Sequence, residues 1–319
     1  MTWMSGVRSG RLGRGVGMWT MGLACGGALA WGGAVLRPMA ARGDVRSGPQ
    51  QVSALRIVKF VAPQPTAYHV VSALVVGPTE AILWDAQDKV SDGKHLAEAI
   101  ATTGKHLKAI VLSHADHDHY MGAQEVLKRF PGTPVYMSRA GLDDFAERSQ
   151  QDLAARRKRG GDEVPDSIVE PRLLPAGGLD VDGYALEVLD GLGGDVRGGK
   201  NAALWIPSIR AVLAGDVVFE GIHPWLGDSD MAAREEWRSS LRRLAALNPD
   251  MVVPGHKRDA TTPDDPKQID FMLRYLDDYD AFMHEAGAAE DLVEAMVEKY
   301  PELAIPGLMA FGARRWFKR

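Results

Sequence analysis

Between Ser113 and Gly122 the chain reads Ser-His-Ala-Asp-His-Asp-His-Tyr-Met-Gly, which puts three imidazoles and two carboxylates into six consecutive positions. The apolar run Ala109-Ile110-Val111-Leu112 leads directly into it. A turn at the end of a strand can aim several side chains at one point, and neutral imidazole mixed with carboxylate is a donor set that suits zinc or a similar divalent ion. Histidine is scarce, and three of the chain's nine fall here, beside acids that would be costly to bury unpaired. The segment therefore reads as a metal site rather than as a polar turn.

The order His114-x-x-x-Asp118-His119-x-x-Gly122 after an apolar strand resembles the metal-binding signature of the metallo-β-lactamase superfamily. His114, Asp118 and His119 fall in register with it. Asp116 stands where the usual form has a second histidine, and His117, one position off, is expected to point away from that ligand slot. Two later segments follow in the order the family requires. Ile209 to Asp216 is an apolar run ending in Gly215-Asp216, and Met251 to His256 is another ending in Pro254-Gly255-His256. Gly-Asp alone would be ordinary turn chemistry; three such segments in order are a stronger signal. The resemblance spans roughly Ile57 to Asp280. One element is missing, because no histidine lies between His119 and His223. The loop Asp190 to Lys200 occupies the expected place and offers Asp190 and Asp195 as substitutes.

By carry-over from the family, Asp118, His119, Asp216 and His256 form a complete two-histidine, two-carboxylate site. The first family site keeps only His114, Asp116 and a share of Asp216, so it is oxygen-rich and weaker, empty or suited to a harder ion such as manganese. Zinc is the expected cofactor, with manganese or iron as alternatives. An iron dioxygenase, also known on this fold, is disfavoured because its iron would need the absent histidine. The resemblance implies an α/β fold of the four-layer αββα sandwich type.

A metal among such ligands lowers the pKa of bound water and polarises a carbonyl or phosphoryl oxygen. The leading expectation is an exported metal-dependent hydrolase that uses a metal-bound hydroxide, oriented by Asp116 or Asp118, on a small ester, lactone or amide. A phosphoesterase, and a binding protein that kept the fold but lost activity, are the alternatives. No Gly-x-Ser-x-Gly elbow is present to suggest a covalent route. His223, in Gly221 to Asp228 shortly after Asp216, could bind substrate or protonate a leaving group, with Trp225 as an apolar wall, or could be a surface histidine beside a packed Trp. Tyr120 is equally ambiguous. His69, His95, His106 and His284 have no motif around them and receive no function.

The remaining sequence supplies a frame for this chemistry. With 319 residues, 45% of them hydrophobic, the chain can bury one large core or two modest ones. A net charge of −5 gives no footprint for nucleic acid; the run Arg156-Arg157-Lys158-Arg159 reads as a solvated helix end. Residues 1–48 read as an export signal plus linker. Arg8, Arg11 and Arg14 precede an uncharged stretch from Val16 to Ala30, with small-x-small cleavage positions at Ala28-Leu29-Ala30 and later at Ala40-Ala41. Retention as a membrane anchor, from Val16 to Leu36, is the alternative and would be the chain's one contact with a membrane. Cys25 is the only cysteine, so cleavage would leave a mature chain with no thiol.

Residues 52–262 are expected to form the metallo-β-lactamase-like domain and 263–319 a helical extension packed on it. Strands are expected over Ala54–Phe60, His69–Val76, Ala81–Trp84, Pro134–Met137, Leu186–Leu189, Ala202–Ile206 and Ala211–Leu213. Helices are expected over Gly93–Thr103, Met121–Phe130, Ala232–Leu247, Ile269–Met283 and Ala288–Tyr300. The basic, aromatic tail Arg314 to Arg319 reads as a packed helix end, with a membrane or partner contact as the alternative.

Overall fold

Side chains of a strand alternate between its two faces, and here that alternation sorts the apolar residues into three separate cores. The structure, a computed structural model, describes residues 54–62, 68–196 and 198–317. One sheet has the order β1-β2-β3-β4-β5-β6, with β1 Arg56–Val61, β2 Val71–Val76, β3 Glu80–Trp84, β4 His106–Leu112, β5 Val135–Met137 and β6 Arg172–Leu173. It is antiparallel from β1 to β3 and parallel from β3 to β6. A second sheet has the order β12-β10-β9-β8-β7, with β7 Leu179–Val181, β8 Tyr184–Leu192, β9 Asn201–Ile206, β10 Ala211–Leu213 and β12 Met251–Val253. Between β10 and β12 the chain makes β11 Phe219–Glu220, which pairs in parallel with β13 His256–Lys257.

Val71, Ala73, Val75, Ile82, Trp84, Ala109 and Val111 of the first sheet share a core with Ala202, Leu204, Ile206, Ala211 and Leu213 of the second. The sheets therefore pack face to face. The alternate residues Leu74, Val76, Leu83, Ile110 and Leu112 turn outward against α1 Val90–Thr102, α3 Ala123–Arg129 and α4 Arg139–Gly160, burying Leu96, Ile100, Val126 and Phe145. On the far side Ala203, Trp205, Val212 and Val252 meet α5 Met231–Ala246, α6 Lys267–Glu285, α7 Ala289–Lys299 and α8 Pro306–Phe317. Helix, sheet, sheet and helix give the four-layer α/β sandwich.

Several local expectations need correction. The helix expected over Met121–Phe130 is α3, Ala123–Arg129, and ahead of it the ligand segment itself forms a separate single turn, α2 His117–Tyr120, joined to it through Met121 and Gly122. β2 begins at Val71 rather than His69, because Tyr68 and His69 both have positive φ, 48° and 63°, a region rarely used by residues with a Cβ. Helix α4, with 22 residues, had no counterpart in the sequence reading except its basic last turn. There, Arg157, Lys158 and Arg159 are exposed, but Arg156 reaches back to the buried Asp88. The tail is docked: Met309 and Ala313 are buried, and Trp316 Nε1 donates to Leu226 O at 2.9 Å.

The expected export or anchor segment, with Cys25, lies outside the described residues. Among the described residues no helix is long and apolar enough to cross a membrane.

Candidate metal centre

The ligand candidates stand just past the carboxyl ends of three strands. β4 runs into Ser113 to His119, β10 into the turn Gly215–Val217 that carries Asp216, and β12 into Pro254-Gly255-His256. A Cβ on Gly255 would come within 2.1 Å of Asp216 Oδ1 and 2.5 Å of the Gly215 carbonyl carbon, so only glycine lets the His256 strand pass against the Asp216 turn.

Hydrogen bonds fix the three imidazoles in one orientation. Asp85, at the end of β3 with φ of 57°, accepts from Ser113 N at 2.7 Å and from Ser113 Oγ at 2.8 Å. Since the Ser113 hydroxyl proton is spent on Asp85, its oxygen accepts from His114 Nδ1 at 2.9 Å. His119 Nδ1 donates to Asp85 Oδ2 at 2.9 Å, and His256 Nδ1 donates to the Tyr68 carbonyl at 2.7 Å. In the neutral rings these bonds keep the proton on Nδ1 and leave the lone pair on Nε2, the form that binds a metal.

His256 Nε2 lies 3.0 Å from Asp216 Oδ2 and 3.5 Å from Asp118 Oδ2, and His119 Nε2 lies 3.2 Å from Asp216 Oδ1. The two Nε2 atoms are 3.4 Å apart. Ligands about 2.0–2.1 Å from a tetrahedral zinc are separated by about 3.3 Å, so this spacing fits one ion. Two further groups could hold an ion by the same test of converging donors, His114 with His119 and Asp216, and His114 with Asp116 and Asp195. His114 Nε2 and Asp216 Oδ1 are buried without a hydrogen-bond partner, as atoms kept for a cation would be.

Electrostatics point the same way. Burial opposes charge on His119, yet the carboxylates of Asp216, Asp85 and Asp118 outweigh it and raise its pKa well above the ordinary value. For Asp216, burial is overcome by His256 and His119, which hold the carboxyl well below its usual range. Asp195 moves the other way: burial, then Asp216 and Asp116, push it well up. A cluster that draws protons onto its histidines and onto one acid is short of positive charge, which a divalent ion would supply.

Other sequence candidates separate clearly. His117 turns its Nδ1 to Asp88 Oδ1 at 3.1 Å, away from the ligand groups, while reaching the cavity. Asp190 is exposed and its side chain is spent on the Gly191 amide, whereas Asp195 is buried at the centre. Tyr120 is a core residue packed on Phe145.

His223 corrects an expectation. It does not line the cavity; it is buried with Nδ1 2.8 Å from the Tyr275 hydroxyl on α6. The same loop instead presents Trp225 and Asp228. Sequence reasoning missed Asp85, which appears only as the residue closing a strand, and the Tyr68 carbonyl, whose left-handed backbone has no sequence signature. It also missed Arg148, on the unanticipated helix α4, which pairs with Asp116.

The cavity holds about 270 Å³. Asp116, Asp118, Asp195, Asp216 and His256 line it together with Phe219, Trp225, Leu308 and Phe311, and Phe219 stacks on the His256 ring with centroids 5.0 Å apart.

A family model described as the metallo-beta-lactamase superfamily matches residues 65–256. The chain belongs to that superfamily, whose members are typically metal-dependent hydrolases. Among solved structures, a metallo-beta-lactamase family protein from Thermus thermophilus is similar at 20% identity and TM-score 0.56, over 83% of this chain and 93% of that one. A beta-lactamase domain protein from Burkholderia ambifaria gives 17% identity and TM-score 0.59, over 82% and 85%. The DIM-1 metallo-beta-lactamase gives 18% and 0.51, over 71% and 98%. These likenesses show the shared fold. Among curated protein sequences, none matches this chain closely enough to count as a relative.

Proposed function

We propose that the protein is an exported metal-dependent hydrolase of a small carbonyl substrate, an ester, lactone or amide. The observation that carries this reading is the convergence of His119 and His256 Nε2, each ring fixed by a hydrogen bond at Nδ1, on Asp118 and Asp216, beneath a cavity that Asp118, Asp216 and His256 line and behind which His119 is buried. Those four residues would hold the ion, with zinc as the expected species. Such an ion supplies Lewis acidity and lowers the pKa of a coordinated water.

The chain's own residues do the rest. Asp118, only 8% exposed and lining the cavity, is placed to orient water and accept its proton. Asp85 and Tyr68 O keep both imidazoles in the ligating tautomer. Trp225, Leu308 and Phe311 offer an apolar wall on which the acyl or alkyl part of a substrate can exclude water, while Phe219 backs the His256 ring. Trp225 and Phe311 stack with centroids 5.9 Å apart and planes at 24°.

Export is part of the proposal and is supported by the arginines and the uncharged small-residue stretch of the first 30 residues. The extra acidic group around His114 gives a specific reason to include phosphoesters in the substrate test, since phosphoester chemistry favours two metals. The test is metal content of the purified chain together with ester, lactone, amide and phosphoester panels, repeated on Asp216→Ala and His256→Ala. Metal-dependent turnover of a carbonyl substrate, lost in both variants, supports the reading. A protein that takes up no metal after supplementation and turns over nothing would be a binding protein on the same fold.

A further inference from the structure

The cavity takes its lining from both helix layers. Trp225, Leu308 and Phe311 belong to α8 and to the loop on which it docks, whereas His117, Arg148 and Asp152 belong to α2 and α4 on the other side of the sandwich. The first group is apolar. The second is polar, and the direction of its hydrogen bonds decides what kind of substrate it can hold.

No donor in that polar group is free. Arg148 gives its guanidinium to Asp116 and, at 3.0 Å, to Asp144. His117 donates Nδ1 to Asp88 Oδ1 at 3.1 Å, and the buried Asp88 is held in turn by Arg156. In the neutral ring Nε2 is therefore an acceptor. The acids of the cavity sort in the same way. Asp116, Asp118, Asp195 and Asp216 stand at the metal centre, and Asp228 is taken by Arg315 at 2.8 Å and by Trp225 Nε1 at 2.9 Å. That leaves Asp152. It lies one turn beyond Arg148 on α4 and is half-buried between the exposed Gln151 and the buried Leu153. No cation among the described residues stands within ion-pair distance of it.

A carboxylate in that position loses hydration without gaining a partner. Burial accordingly raises its pKa, and Arg148 and His117 offset only part of the rise. A wall that offers acceptors and no free donor repels carboxylates and phosphates and favours a cation that carries N–H groups.

We propose that Asp152 is a specificity-determining residue that pairs with a protonated amine of the substrate, so that the preferred class is an amine-bearing ester, lactone or amide whose apolar body rests on Trp225, Leu308 and Phe311. As a statement about substrate this rests on the hydrolase reading of the same cavity. The aromatic side does not compete for the charge, because Arg315 already lies over Trp225 at 5.8 Å from the ring centroid and Phe311 stacks on the same ring. Asp152 belongs to none of the groups that could hold a metal, so recognition of the amine and binding of the ion are separable.

The experiment uses the full chain loaded with zinc and two thioesters of one phenylalkanoyl chain, which end beyond the ring in an ammonium or in a methyl group. The readout is the ratio of their kcat/KM values. Calorimetric binding of the matching ketones, which lack the scissile bond, gives the same ratio without turnover. The ammonium compound should be favoured by at least about tenfold, the scale of a charge-assisted hydrogen bond. Asp152→Asn keeps the volume and removes the charge, and should bring the ratio to within about twofold of one while zinc content is unchanged. A wild-type ratio near one, with both thioesters hydrolysed, overturns this inference and leaves the hydrolase reading standing. A preference that survives in Asp152→Asn overturns it as well. If neither thioester is turned over while ketone binding keeps a preference that depends on Asp152, the hydrolase reading falls and the amine site stands.

Discussion

Acid should loosen this fold through His223. The imidazole is 1% exposed, its Nδ1 is bonded to Tyr275, and its Nε2 has no partner. Burial alone lowers its pKa from 6.5 to about 4. An unfolded chain therefore binds a proton at this residue between those two values while the folded chain does not, and stability falls as pH falls through that window. Above pH 6.5 the contribution is fully present. For a shift of this size the loss is about 2 kcal/mol at pH 5 and about 3 kcal/mol at pH 4. His223→Gln keeps an acceptor for Tyr275 and removes the titration. Urea unfolding of both proteins from about pH 8 to about pH 4 isolates the effect as a difference, because the other titrating groups are common to both. The wild type should lose more stability than the variant on acidification, by about the amounts above. Parallel curves would show that His223 is not held neutral by the packing of α6 and would refute the argument.

The other expectations concern the centre and its supports. Asp85→Asn would put an amide donor against His119 Nδ1 and drive the ring proton onto Nε2, so zinc affinity, read by competition with a chelator, should fall about 10–100-fold; an unchanged constant would mean that Asp85 does not set the tautomer. Trp237 is wholly buried and donates to Val217 O at 2.8 Å, beside the Asp216 turn. Trp237→Ala should cost about 3–5 kcal/mol in urea unfolding, and a loss below about 1 kcal/mol would contradict its role in the core. Phe311, 61% exposed at the cavity, should matter for substrate rather than stability. Phe311→Ala should raise KM for substrates with a bulky apolar group about 5–30-fold, on the basis of roughly 1–2 kcal/mol of lost burial, with little change for acetyl esters; equal effects on both would argue against the wall.

What was legible in the sequence is what the backbone pattern and side-chain chemistry encode locally. Alternating apolar runs such as Ala109 to Leu112 marked the strands, and ligands at the ends of those runs marked His114, Asp118, His119, Asp216 and His256. Asp195 was readable only as one of two acids in a loop, because burial separates it from Asp190 and burial there depends on the approach of Gly194 to Asn201. Helix α4 was missed because its buried positions, Phe145 and Leu153 among them, are widely spaced among charged residues. Those charges are engaged in turn: Arg148 with Asp116 and Arg156 with Asp88. Its polar face is turned toward the site, so an amphipathic pattern judged against a dry core could not find it. His223 was misplaced for the opposite reason. Its loop does border the cavity, but the partner that decides which side chain turns inward, Tyr275, is 52 residues away.

On the proposed function, that long-range dependence also bears on substrate selectivity. The family match ends at His256, so the proposed metal ligands lie inside it, while Leu308 and Phe311 of the cavity lie outside. Their placement depends on how α8 docks. Arg315 pairs with Asp228 at 2.8 Å and lies over Trp225 at 5.8 Å from the ring centroid, and Trp316 is tied to Leu226. Every one of these contacts joins α8 to the single loop that follows β11. A change in that loop or in α8 would reshape the apolar wall while leaving Asp118, His119, Asp216 and His256 untouched, so metal binding and substrate choice can vary independently on this scaffold.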